Sequence, residues 1–164
     1  MNKATRAEVF SWLDVLPDPE IPVISINDLG IVRDVEWMDD ELVISITPTS
    51  SGCPAMKQIE DDIKKLIQEK GIEKVRIKMI YSPAWTTDWI SENAKERLRE
   101  YGIAPPEHSS VDKRVLMGLQ EREVKCPQCG SADTQMVSQF GSTACKALYR
   151  CNSCLEPFDY FKCL

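Results

Sequence analysis

Histidine is almost missing from this 164-residue chain: His108 stands alone. It lies in Ala104-Pro-Pro-Glu-His-Ser-Ser110, a stretch with the composition of a linker. A Ser-His-Asp triad, a Cys-His pair or a histidine-rich metal site would have to be built from that tether, which precise chemistry disfavours. His108 therefore reads as a solvated linker residue. No Gly-x-Gly-x-x-Gly or Walker-type loop occurs, so a nucleotide cofactor has no support. No apolar run reaches about 18 residues, and Met1-Asn-Lys-Ala-Thr5 does not open a basic-then-apolar leader. Membrane partners and export are not expected, and the chain reads as cytoplasmic. Positive charge is scarce where a phosphate backbone would need it. Up to residue 106 there are 13 Lys/Arg against 19 Asp/Glu, and beyond it 7 of each, so the net −6 belongs to the first two-thirds. Nucleic-acid affinity comes from Lys and Arg neutralising phosphates, and neither part is built for it.

What the chain does have is cysteine. Seven cysteines without an export signal point to metal or thiol chemistry, not a disulfide framework. Cys126-Pro-Gln-Cys129 and Cys151-Asn-Ser-Cys154 are two Cys-x-x-Cys knuckles separated by 21 residues. Two such turns gather four thiolates tetrahedrally, the arrangement of a structural zinc ribbon. A segment of about 40 residues cannot fold on a hydrophobic core alone, so the metal supplies much of its folding free energy. Iron takes the same four ligands, and sequence does not separate it from zinc. A thiol oxidoreductase using one Cys-x-x-Cys pair is the competing reading, and two matched pairs disfavour it. Cys145 and Cys163 flank the second knuckle. They read either as packing residues or as accessory thiols for a second, transient metal or cluster.

The remaining thiol, Cys53, sits in Thr47-Pro-Thr-Ser-Ser-Gly-Cys-Pro54, after a strand-like run (Leu42 to Ile46) and before a helix-like one (Ala55 to Lys70). Pro54 suits a first helical turn, where its missing N–H costs nothing, and this puts Cys53 at the N-cap. Unpaired N–H groups and the helix dipole favour thiolate there, making the sulfur a better nucleophile and metal ligand. A small buried core thiol would satisfy the same position.

Around this loop the chain reads as an α+β domain. A helix over Lys3 to Leu16 carries Val9, Phe10, Leu13 and Leu16 on one stripe and stops at Pro17. Asp18-Pro-Glu-Ile-Pro22 is a stiff loop whose two carboxylates, Asp18 and Glu20, are either a solvated pair or acid, base or hard-metal ligands. Alternating runs ending at Trp37 and starting at Leu42 form a hairpin around Asp39-Asp40. The helix after Cys53 leads to a third strand from Val75 to Tyr81, which suits a parallel βαβ crossover. A last helix ends at Tyr101, with Ile90, Ala94 and Leu98 inward. Trp85 and Trp89 suit a partner-facing patch, with core packing favoured for Trp89. The expected architecture is a two-layer domain over 1–104 with a small mixed sheet and helices, a linker over 105–123 and a four-cysteine zinc-ribbon minidomain over 124–164.

Four stretches together resemble the SufT-like family of iron–sulfur assembly proteins: Asp18-Pro-Glu-Ile-Pro22, Asn27-Asp-Leu-Gly-Ile31, Thr47 through Gly52-Cys-Pro54, and Ser82-Pro-Ala-Trp-Thr86. They keep the family's order over roughly residues 17–90. The tail, with Phe140-Gly-Ser-Thr-Ala-Cys-Lys-Ala-Leu-Tyr-Arg-Cys151 and Glu156-Pro-Phe-Asp-Tyr-Phe-Lys-Cys163, looks like the PaaD-type branch, encoded with bacterial phenylacetyl-CoA epoxidase. In that branch Cys163 would lie one residue from the end of this chain, at Leu164.

The resemblance implies a non-enzymatic maturation factor that assembles or delivers an iron–sulfur cluster, or repairs a metal centre, for the epoxidase of aerobic phenylacetate degradation. Cys53 would be the functional thiol, with Asp18, Glu20 and Thr49 around it, handling a transient iron–sulfur cluster. The implied partners are the reductase with its [2Fe–2S] cluster, the di-iron oxygenase and other iron–sulfur assembly proteins. The cluster would be shared with one of them or across a homodimer. The alternative is a non-catalytic structural or docking subunit of the multicomponent oxygenase.

Overall fold

The computed structural model describes residues 2–49, 54–106, 123–143 and 146–161. They fall into two compact units, Met1–Trp85 and Thr86–Leu164.

In the first unit, α1 (Arg6–Leu13) begins where Thr5 and Glu8 cap it reciprocally. The Thr5 hydroxyl accepts from the Glu8 N–H at 3.2 Å, and the Glu8 carboxylate accepts from the Thr5 N–H at 2.7 Å. That cap starts the helix three residues after the Lys3 expected from sequence. Strands β1 (Val32–Met38) and β2 (Glu41–Ile46) form the expected hairpin, with Asp39 at φ +54° in the two-residue turn that Asp tolerates. Helix α2 (Ala55–Glu69) buries Ala55, Met56, Ile59, Ile63 and Ile67 at three- and four-residue spacing. It carries the chain to β3 (Val75–Met79), which pairs with β2 in parallel, so the crossover has the predicted form. The sheet order β1-β2-β3 makes β2 central. Every residue from Leu42 to Ile46 is buried, including Ser45, where simple alternation would leave one face wet.

The second unit opens with a 3-10 turn over Thr87–Trp89 and then α3 (Glu92–Tyr101), capped by Ser91 and closed at Gly102 with φ +92°. Ile103–Ala104 forms β4, which pairs in parallel with β7 (Pro157–Phe161). With β5 (Thr134–Ser138) and β6 (Lys146–Cys151) this gives a second sheet in the order β4-β7-β6-β5. Its core is Ala104, Val124, Cys126, Ala147, Cys151, Phe158 and Tyr160, with Tyr149 packed against it. Tyr149 stacks on Phe158 at 5.9 Å and meets Tyr160 edge-on at 5.5 Å. The α+β class therefore holds, with three α-helices and two sheets among the described residues. None of those helices is long and apolar enough to cross a membrane.

Candidate metal centre and strand-end loops

The two knuckles of the second unit are built the same way. In the first, the Gly130 N–H donates back to the Cys126 carbonyl at 2.8 Å and the Cys126 N–H to the Ser131 carbonyl at 2.9 Å. In the second, the Cys151 N–H donates to the Glu156 carbonyl at 3.0 Å and the Cys154 N–H to the Cys151 sulfur at 3.4 Å. The residue after the second cysteine of each knuckle, Gly130 or Leu155, has positive φ, +75° and +66°. Further bonds tie one knuckle to the other. The Ser131 and Ser153 hydroxyls meet at 2.8 Å, while the Asn152 N–H and side-chain amide donate to Asp133 at 2.9 Å each. These four bridging residues lie beside the cysteine pattern, and the spacing alone does not announce them.

The result is a cluster of all four predicted sulfurs, Cys126, Cys129, Cys151 and Cys154, each within 4.8 Å of the others. Cys126 and Cys151 face the unit's core, whereas Cys129 and Cys154 are exposed. A metal bonded to four thiolates at about 2.3 Å sets tetrahedral sulfur–sulfur edges of about 3.8 Å. Cys126 and Cys154 stand 3.7 Å apart and Cys129 and Cys151 3.5 Å, so the donor set fits a tetrahedral thiophilic ion.

The protons at this cluster are unevenly held. The Cys154 N–H is the main reason the Cys151 thiol is drawn down to about 6, against the opposing effect of burial. At Cys154 the Glu156 N–H acts in the same sense. There burial and the facing thiols of Cys151, Cys126 and Cys129 outweigh it and push the group up to about 12. At Cys129 the Ser131 N–H lowers the pKa, but the contact with Cys151 and burial raise it more, and the net shift is upward. One sulfur is thus ready to bind, and at least two more must lose protons to a cation before all four can ligate.

The first unit brings together three of the stretches singled out from sequence. Asp18 is buried, and its Oδ1 accepts from the backbone N–H groups of Glu20 and Ile21 at 2.9 Å each. Its own N–H donates to the Ile24 carbonyl at 2.9 Å. Asp18 is thus the internal brace of its loop, with half-buried Glu20 beside it. Ser25 and Asp28 cap one another, side chain to N–H, at 3.0 and 3.1 Å. The turn that follows is held from two sides. The Thr47 N–H donates to the Ile31 carbonyl at 2.9 Å and the Trp85 indole N–H to the Leu29 carbonyl at 2.7 Å. Trp85 is only 6% exposed, which corrects its reading as a partner-facing patch: its ring is core and its nitrogen a loop anchor. Thr47 is buried as well, and its anchoring role went unread.

Thr49 is half-buried at the end of β2, and Pro54, with ψ −21°, already has helical geometry one residue before α2. That is the geometry expected of a proline in the first helical turn, and it makes no side-chain cap hydrogen bond. Cys53 itself lies outside the described residues, as do His108, Cys145 and Cys163.

Comparison with known proteins divides the chain along these lines. Residues 6–79 match the model of an iron–sulfur cluster assembly protein family, and residues 110–162 that of the PaaD zinc β-ribbon domain. An Escherichia coli K12 protein, named as one subunit of a "Putative 1,2-phenylacetyl-CoA epoxidase", is 50% identical across 96% of this chain and 92% of its own length. The Bacillus subtilis Fe-S protein maturation auxiliary factor YitW is 34% identical over 58% of this chain and 94% of its own. Among solved structures, a DUF59 domain from Bacillus anthracis superposes with a TM-score of 0.52 at 31% identity. It covers 57% of this chain and 90% of that domain.

Proposed function

This chain belongs to the SufT-like iron–sulfur cluster assembly family, in the branch with a C-terminal PaaD zinc ribbon, and from there we propose that it is an accessory maturation factor for a phenylacetyl-CoA epoxidase. It assembles or delivers an iron–sulfur cluster, or repairs a metal centre, and does not carry out the epoxidation. The observation that carries this reading is the joining of an assembly-type α+β unit to a four-thiol ribbon in one chain, matched over nearly its whole length by one relative. The assembly domain is assigned to 1–104, the linker to 105–123 and the ribbon to 124–164.

In this reading the cluster is cargo. Cys53, on the loop between Thr49 and Pro54, donates one thiolate to it. Asp18 holds the neighbouring loop in shape through its two backbone bonds, and Glu20 and Thr49 complete the surroundings. The cluster's other ligands come from a second copy, from an iron–sulfur assembly protein or from the client, either the reductase or the oxygenase. The ribbon cysteines hold zinc, or iron in its place, as a structural ion whose contribution is to fix the fold. Cys145 and Cys163, within the ribbon's stretch of sequence, are accessory thiols. The chain works in the cytoplasm.

Metal and acid-labile sulfide, measured per chain after anaerobic purification of wild type and Cys53→Ser, test the reading. One tight zinc in both, with iron and sulfide in wild type alone, supports it. A Cys53→Ser variant that activates the epoxidase fully in cells overturns the role of Cys53.

A second reading, a docking subunit of the oxygenase, draws on the exposed apolar side chains of Met136, Val137 and Phe140 along and just beyond β5, an edge strand. Stable stoichiometric co-purification with the oxygenase, with no bound sulfide, would favour it. The thiol-oxidoreductase reading is disfavoured by four sulfurs converging on one point.

A further inference from the structure

At the end of the first unit's sheet away from Thr47 lies a groove of about 900 Å³. Its walls come from the start of the chain, α1, the β1–β2 hairpin and the connection from α2 to β3. The strands fix its place: Leu42 and Val75 pair at the beginnings of β2 and β3, next to the groove, whereas Thr47 follows the far end of β2. Helix α2, with 15 residues, spans about 22 Å between the two ends. The groove therefore lies at the opposite end of β2 and α2 from Thr47 and Pro54.

Two indoles line it, Trp12 and Trp37, both partly exposed. Each already has an ammonium of the chain over its ring: Lys3 Nζ lies 5.2 Å from the Trp37 centroid and Lys70 Nζ 5.7 Å from that of Trp12. These lysines show what the two faces accept, since the ring quadrupole attracts cations. Lys70 makes no ion pair or side-chain hydrogen bond among the described residues, whereas Lys3 is more firmly held. Lys3 donates to the Asp39 carbonyl and reaches Asp40 only at 4.0 Å, and its side chain is half exposed. Glu73 also lines the groove, and it makes no ion pair or hydrogen bond among the described residues. Lysines and carboxylates balance within the groove itself, but residues 1–85 carry 10 Lys/Arg against 15 Asp/Glu. The surrounding field favours an incoming cation.

The geometry points to this groove as a docking site for an arginine-bearing segment of a partner protein. A guanidinium lies flat on an indole while forking to a carboxylate, which an ammonium cannot do, so arginine displaces Lys3 or Lys70 and pairs with Asp40 or Glu73. The volume admits several residues and not just one side chain.

The test uses the whole chain in its metal-loaded form, with ¹⁵N-labelled indoles followed by NMR. The probes are a short Arg/Gly peptide, a matched Glu/Gly peptide and adenosine monophosphate. The Arg/Gly peptide is expected to shift the Trp12 and Trp37 indole signals while leaving Trp85 and Trp89 in place. The effect should weaken with salt, and at least one of Asp40→Asn and Glu73→Gln should lower affinity about threefold or more. Both substitutions lie on the surface and leave the fold intact. No shift at about 1 mM peptide overturns the proposal, since a Kd that weak is too poor for a docking site. So does a larger response to the acidic peptide or the nucleotide, or binding that neither variant changes.

Discussion

The sulfurs of Cys129 and Cys151 lie 3.5 Å apart across a separation of 22 residues. Without a shared cation the two cannot both stand as thiolates at that distance, and the ribbon behind them offers only a small core. The metal is therefore expected to be stoichiometric and required for folding. Cys151→Ala should lower bound metal from about one per chain to none and unfold the second sheet, because Cys151 is also a fully buried core residue. Cys129→Ser, at an exposed position, should weaken metal binding with less damage to packing. Elemental analysis and near-ultraviolet circular dichroism of Tyr149 and its neighbours separate the two outcomes.

The same cluster sets a pH dependence. In the metal-free form Cys154 is pushed up to about 12 and Cys129 is raised as well, so near neutral pH both still carry protons. Cys151, drawn down to about 6, has mostly lost its own. Metal uptake must then release at least two protons, and affinity should climb at least about a hundredfold per pH unit between pH 7 and pH 8. Below pH 6 Cys151 adds a further proton and the slope steepens. Competition against a chelator across this range measures it, and a slope under about tenfold per unit would contradict the proton assignment.

Trp85 offers a test in the first unit. Trp85→Phe removes the donor to the Leu29 carbonyl and leaves that buried acceptor unpaired, at a cost of about 1–3 kcal/mol before any loss of packing. Urea unfolding reads the stability, and amide exchange over residues 27–31 should rise with it. Unchanged exchange there would mean that the Thr47–Ile31 bond and the turn's own backbone bonds hold it without Trp85.

What the sequence discloses here follows physical range. The four ribbon cysteines were legible because a tight turn fixes the spacing within each pair. The parallel β2–β3 pairing was legible because a helix-length stretch separates two alternating runs. Ile103–Ala104 was not: two residues have no period, and the Pro105-Pro106 that follows suggests a linker, yet they form an edge of the ribbon's sheet. Burial of both faces of β2 was missed at Ser45, because its central place depends on which strands flank it. Trp85 was misread since its indole partner lies 56 residues away. Asp18 and Glu20 read from sequence as either a solvated pair or a chemical one; Asp18 is buried, and one of its oxygens is committed to its own loop, which sequence spacing does not disclose.

Leu155 provides a last prediction, drawn from the likeness of the two knuckles. Gly130 and Leu155 occupy matching places, each just after the second cysteine of its pair, at φ +75° and +66°. Glycine adopts that conformation freely, while an L side chain there costs about 1–2 kcal/mol. Leu155 is 59% exposed, so little packing offsets its strain. Leu155→Gly should therefore stabilise the metal-loaded chain by up to about 1 kcal/mol once the greater freedom of the unfolded chain is subtracted, read as a rise in its thermal midpoint. Gly130→Ala should destabilise it by a similar amount and lower the midpoint. No side-chain clash contributes there, because nothing lies within 4 Å of the added Cβ. If Leu155→Gly instead destabilises the chain, the leucine side chain has a packing role that outweighs its backbone strain, and the symmetry of the knuckles is only geometric.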